Sequence, residues 1–157
     1  MVTKAQVASP ESVEADVLIV IGFEKQGDSS PLSPSAASLD ATCGAWFSEV
    51  YTTGEFSGKA FEFAVLHRPA GLKAKRIAML GAGKTLDVRK LASFAVRHFR
   101  GQAETLAFVV DGASDDSVAA AIEGAILGAW EQDHHKSTGK VENKIGAFTL
   151  EIGRAHV

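Results

Sequence analysis

Lys75-Arg-Ile-Ala-Met-Leu-Gly-Ala-Gly-Lys84, followed by Asp87 to Arg100, is the stretch whose reading decides the fold. Ile77 to Leu80 is an unbroken apolar run behind two cations, the pattern of a strand buried on both faces rather than one alternating toward water. The strand therefore belongs inside a sheet. Gly81-Ala82-Gly83-Lys84-Thr85 invites a nucleotide-binding reading, which spacing opposes. A P-loop requires glycine at position 78, where Ala78 stands, and a dinucleotide fingerprint requires a small residue at position 86, where Leu86 stands. The simpler reading is a tight strand-to-helix turn in which glycine supplies unusual dihedrals.

Working outward, Val88, Leu91, Ala92, Ala95 and Phe99 mark the buried face of a helix ending at Gly101 as its C-cap. Leu106 to Val110 is the next buried strand, making a right-handed crossover unit. Upstream, Glu62 to His67 reads as a strand only seven residues from Lys75. Parallel neighbours need a crossover of about a dozen residues, so this pair is antiparallel and the sheet mixed.

Val2 to Val7 reads as a short edge strand and Val17 to Ile21 as a second buried one, opening into a Gly- and Pro-bearing loop, Gly22 to Pro34. Leu39, Cys43, Trp46, Phe47, Val50 and Tyr51 then recur on one face of a single helix. Within that stripe Cys43 reads as a small buried hydrophobe rather than a nucleophile. Ser114 caps a further helix whose first turn holds Asp115 and Asp116. Its expected buried residues are Val118, Ile122, Ala125, Ile126, Ala129 and Trp130. Gly124 and Gly128, one turn apart, imply that something packs very close. Ile145 to Ile152 is the last strand.

Composition sets the outer limits. The 157 residues, 46% apolar and 22% charged, suit one globular domain. A net charge of −3 gives no general attraction to nucleic acid or anionic lipid. The lone Cys43 permits no intrachain disulfide, which points to a reducing cytoplasm. Met1 to Pro10 lacks the apolar block of a secretory leader, and the apolar runs are too short to span a bilayer. Arg89, Arg97 and Arg100, with Lys90 beside them, line one face of the middle helix without interleaved aromatics, a pattern that favours an ordinary solvated face over a DNA or RNA surface. Asp133-His134-His135 lacks the i, i+4 spacing that aims two imidazoles at one ion. His67 and His98 lack an acid and a serine or cysteine nearby in sequence, so neither makes a triad.

Glu123-Gly-Ala-Ile-Leu-Gly-Ala-Trp130, with the charged cluster ending Lys136-Ser137, resembles the segment that closes the N-terminal domain of leucyl (cytosol) aminopeptidases. Ala15 to Val20, Leu39-Asp40, Phe56-Ser-Gly-Lys59, Gly71 to Arg76 and Leu80-Gly-Ala-Gly-Lys84 are similar to that domain in the same order. The resemblance covers roughly residues 2–152, leaving 153–157 as a terminal tail. It implies a macro-domain-like α/β fold in three layers, with a mixed, mostly parallel sheet flanked by helices. It also implies a metallopeptidase whose two divalent metals, zinc or manganese, sit in a separate C-terminal domain. These 157 residues contain no Asn-Thr-Asp-Ala-Glu-Gly-Arg segment, so no catalytic, cofactor-binding or metal residue is assigned. The expected partners are that catalytic domain and sister subunits of a homo-hexamer, with some members also binding DNA; the expected role is assembly, access or partner binding. The alternative is a free-standing macro-type module binding ADP-ribose or a related nucleotide near Gly81 to Lys84 and Asp111 to Ser114, although the asparagine-rich strand end usual in such modules is replaced here by Ile21-Gly-Phe-Glu-Lys25.

Overall fold

The computed structural model describes residues 1–112, 114–130 and 143–153. They form strands β1 (Val2–Gln6), β2 (Val17–Gly22), β3 (Phe63–His67), β4 (Arg76–Gly81), β5 (Thr105–Asp111) and β6 (Ala147–Gly153). Four helices accompany them: α1 (Pro34–Thr42), α2 (Trp46–Thr53), α3 (Val88–Phe99) and α4 (Asp115–Ala129). The sheet order is β1-β6-β5-β2-β4-β3, with every neighbouring pair parallel except β3 and β4. The short link from His67 to Arg76 enforces that antiparallel pair. β4 lies inside the sheet but next to the β3 edge. The β4–α3–β5 unit passes over β2, which sits between its two strands.

Alternation along the buried strands makes two cores. Ile19, Ala78, Leu80, Phe108, Phe148 and Leu150 face α3 and α4. Leu18, Val20, Ile77, Met79 and Val109 face α1 and α2, where Leu39, Phe47, Val50 and Phe56 close over them. The fold is thus three-layered, with apolar strands covered on both sides by helices. No helix among the described residues is long and apolar enough to cross a membrane.

Three local expectations are corrected. The stripe from Leu39 to Tyr51 is two helices, because the chain turns through Gly44 (φ 66°) and Ala45 (φ 62°) in the left-handed region. Asp40 joins them by accepting from the Ser48 backbone N–H at 3.2 Å. Cys43 is consequently the half-buried C-cap of α1, packed against the core from its margin rather than fully inside it. Gly101 does not cap α3: Arg100 does, in right-handed geometry, and the N–H groups of Gln102 and Ala103 close the turn on the Phe99 carbonyl.

The third correction concerns α4. Its buried residues are Ala121, Gly124, Ala125 and Gly128, while Ile126, Leu127 and Trp130 are more than half exposed. α4 lies so close to α3 that a methyl at Gly124 would fall under 3.0 Å from the Arg89 carbonyl oxygen, and one at Gly128 equally close to that of Ser93. A face in backbone contact has no room for isoleucine or tryptophan. The close approach expected from the two glycines is what excludes the larger side chains from this face.

Candidate functional site

In an open, mostly parallel sheet, ligands bind beyond the carboxyl ends of the strands. Here that edge gathers the ends of β2, β4, β5 and β6, the amino end of α1 and the segment 56–62. Gly81 and Gly83 both lie there, and their amides are spent. The Gly81 N–H donates to the Glu62 carbonyl (2.7 Å), that of Ala82 to Gly22 (2.9 Å) and that of Gly83 to Gly58 (2.8 Å). A phosphate cradle needs such amides turned to the ligand. Gly83 adopts φ 73°, and a methyl on Gly81 would run into the Lys59 carbonyl, so close packing and turn geometry account for both glycines. Glu62 secures the covering loop by accepting from the Ser57 (2.6 Å) and Gly58 (3.0 Å) N–H groups.

The amino end of α1 is closed in the same way. Pro34 has no N–H, the Ser35 N–H donates to Asp111 Oδ2 at 3.0 Å, and the Ser35 hydroxyl donates to Asp111 Oδ1. Ala36 N–H reaches Ser33 Oγ at 3.3 Å, and Ala37 N–H reaches the Ser33 carbonyl at 2.8 Å. A carboxylate of the chain itself holds the place an anion would take at a helix N-terminus. The adjacent cleft, about 470 Å³, is lined by Val7, Ser9, Glu11, Ser35, Ser38 and Gly153 among others, and none of its described lining residues is basic. At α4, Ser114 accepts from the Ser117 N–H at 3.2 Å, with Asp115 and Asp116 in the first turn.

The arginines read as one face do not form a continuous platform. Arg89 meets Glu123 at 3.3 Å across α3 and α4, Arg97 is exposed, and Arg100 is half-buried, its carbonyl accepting from the Lys144 N–H at 2.6 Å. Aromatic side chains lie beside α3 in the folded chain. Phe94 stacks with Phe61 (centroids 4.9 Å apart) and with Phe63 (5.8 Å), and His98 stacks on Phe63 at 4.5 Å. Phe61, with φ 69°, comes from the segment before β3, so helical periodicity in α3 carried no trace of it. Burial lowers the pKa of His98.

Among other titratable groups, burial and then Asp40 raise the pKa of the Cys43 thiol, the opposite of what an activated nucleophile needs. Tyr51 is likewise pushed up by burial and by Glu62, and its hydroxyl donates to the Phe23 carbonyl at 2.7 Å. His67 is exposed at the end of β3. Asp133, His134 and His135 lie outside the described residues. Among the described residues no three His, Cys, Asp or Glu side chains gather as a metal-holding group.

The family description "Cytosol aminopeptidase family, N-terminal domain" matches residues 17–139. A probable cytosol aminopeptidase of Solibacter usitatus is 33% identical over 146 residues, covering 88% of this chain and 27% of that protein. The chloroplastic neutral leucine aminopeptidase of Solanum lycopersicum is 33% identical over 143 residues, covering 81% of this chain and 25% of that one. Among solved structures, a tomato leucine aminopeptidase mutant superposes with a TM-score of 0.69 at 22% identity, over 96% of this chain and 32% of that one. The macrodomain of Mycobacterium tuberculosis DarG gives 0.61 at 10% identity, over 96% and 97%, and so shares the macro-like fold. This chain spans about a quarter of the length of the curated relatives.

Proposed function

The chain belongs to the cytosol aminopeptidase family, as its N-terminal domain, and from that premise we propose that it is the non-catalytic scaffold of a metal-dependent leucyl aminopeptidase. The whole enzyme releases N-terminal amino acids from peptides in the cytoplasm, using two divalent metals, zinc or manganese, held in a C-terminal domain. The present domain serves assembly of a homo-hexamer, access to the catalytic chamber or partner binding. The observation that carries this reading is the closed strand-end edge: Asp111 caps α1, and the Gly81 to Gly83 amides bond to neighbouring carbonyls. An α/β domain whose usual ligand crevice is filled by its own backbone is suited to support rather than chemistry.

Hydrolysis of leucine p-nitroanilide with added manganese or zinc tests the first half. The 157-residue chain is expected to show no turnover above the protein-free blank, and metal-stimulated turnover would overturn the proposal. Light scattering tests the second half. The enzyme carrying this domain and its catalytic domain is expected to run as a hexamer, and a variant lacking residues 1–152 as smaller species. An unchanged hexamer would remove assembly from the domain's duties.

The macro-type alternative has fold likeness on its side, but likeness at 10% identity speaks to architecture alone.

A further inference from the structure

On the face of the sheet toward α1 and α2, Ser35 of α1 lies against Gly153 at the end of β6, while the earlier residues of β6 and of β1 border an opening. A pocket of about 320 Å³ opens there, floored by β1, β6 and β5 and walled by residues 12–15. Its volume lies at the small end of ligand pockets, about 300–1,000 Å³. The register places Lys4 opposite Thr149 and Gln6 opposite Glu151, so these four side chains share the pocket face. Val13, Ala15 and Ala107 supply short apolar walls.

Glu151 is the unusual member. It is 1% exposed; Oε1 accepts from Gln6 Nε2 at 2.8 Å, while Oε2 is buried without a hydrogen-bond partner among the described residues. A buried carboxylate oxygen without a donor is costly and calls for a hydrogen-bonding group from outside the chain. The complement to a carboxylate acceptor is an ammonium group. Lys4, close enough to act electrostatically on Glu151, offers the opposite charge at the same pocket. A ligand that answers both must carry an ammonium and a carboxylate a few bonds apart.

The geometry points to a binding site for a free, small aliphatic α-amino acid, its ammonium on Glu151 Oε2 and its carboxylate toward Lys4, with its side chain among Val13, Ala15 and Ala107. This site lies on the described chain alone and stands or falls independently of the parent enzyme's activity. A single ordered water on Oε2 is the competing occupant.

Titrating L-valine into the ¹⁵N-labelled chain, followed by amide chemical shifts, tests it. Saturable shifts are expected at Gln6, Ala107, Thr149 and Glu151. Methylammonium or acetate alone should bind at least roughly tenfold more weakly. Glu151→Gln keeps the shape and Lys4→Met changes an exposed edge-strand residue; each should weaken valine binding by about tenfold or more. Absence of saturable shifts up to roughly 10 mM valine would leave water as the occupant and overturn the site. If Glu151→Gln fails to give a folded spectrum, Lys4→Met still decides, since undiminished valine binding there, or methylammonium binding as well as valine, would refute the zwitterion.

Discussion

Asp16 sits where β2, β4 and β5 begin, and ties them together. Its Oδ2 accepts from the Glu104 N–H at 2.8 Å and the Thr105 N–H at 3.4 Å, Lys75 Nζ lies 3.2 Å from Oδ1, and its own N–H donates to Thr105 Oγ1 at 2.9 Å. Burial acts to raise its pKa, but the Glu104 and Thr105 amides and Lys75 together outweigh it and the net shift is downward. A lowered carboxylate contributes stability above its unfolded pKa and loses it as pH falls through the folded one. Asp16→Asn is therefore expected to cost about 1–2 kcal/mol at pH 7, with the difference from wild type closing in urea melts as the pH falls below the ordinary aspartate range. Lys75→Ala, removing a largely exposed partner, should cost under about 1 kcal/mol. Glu151 has the opposite sign: burial raises its pKa against the smaller opposing effects of Gln6 and Lys4. Its contribution is fully present below the ordinary glutamate pKa and lost as pH rises through the raised value. Without added ligand, Glu151→Gln should match wild type in acid and exceed its melting temperature at neutral pH. A variant less stable at pH 7 than at pH 4, relative to wild type, would contradict that assignment.

Between elements, the α3–α4 contact depends on two missing methyls. Gly124→Ala and Gly128→Ala each force a side-chain carbon against a backbone carbonyl, which cannot rotate away as a flexible side chain would. Each is expected to lose at least about 2 kcal/mol, whereas Ile126→Ala, on the exposed side, should stay within about 0.5 kcal/mol by denaturant unfolding. The same pair shows what sequence could and could not convey. Glycines one turn apart in a helix signalled close approach correctly. Assigning the buried face by large apolar residues then put Ile126 and Trp130 inside, because periodicity weighs side-chain size and is blind to a contact made by its absence. The strands were legible for the converse reason: Val17 to Ile21 and Ile77 to Leu80 are apolar throughout, and only burial on both faces tolerates that. The break at Gly44-Ala45 was hidden, since α2 resumes with Trp46, Phe47 and Val50 still near the earlier stripe. The aromatic stack beside α3 was hidden too, because Phe61 and Phe63 reach Phe94 from a distant segment.

At the scale of the whole molecule, the macro-like architecture bears on whether a nucleotide can bind beyond the strand ends. The sheet order and layers, shared with the DarG macrodomain at a TM-score of 0.61, leave the strand ends where a ligand crevice would form. Sequence spacing around Gly81 already argued against a phosphate cradle; the plug at Asp111 was not legible there, because residues 35 and 111 meet only in the folded chain. Two barriers stand in the way of ADP-ribose: the carboxylate on the α1 amino end, and the committed amides at Gly81, Ala82 and Gly83. Calorimetry with ADP-ribose is accordingly expected to show no binding heat. Asp111→Ala separates the two barriers. It removes two hydrogen bonds at the α1 amino end, one to a backbone N–H and one to a hydroxyl, and should lower stability by about 1–2 kcal/mol. It should still leave ADP-ribose unbound, because the glycine-turn amides keep their partners. Micromolar affinity in wild type would displace the scaffold reading. Affinity appearing only in Asp111→Ala would mean that the carboxylate alone holds the crevice shut.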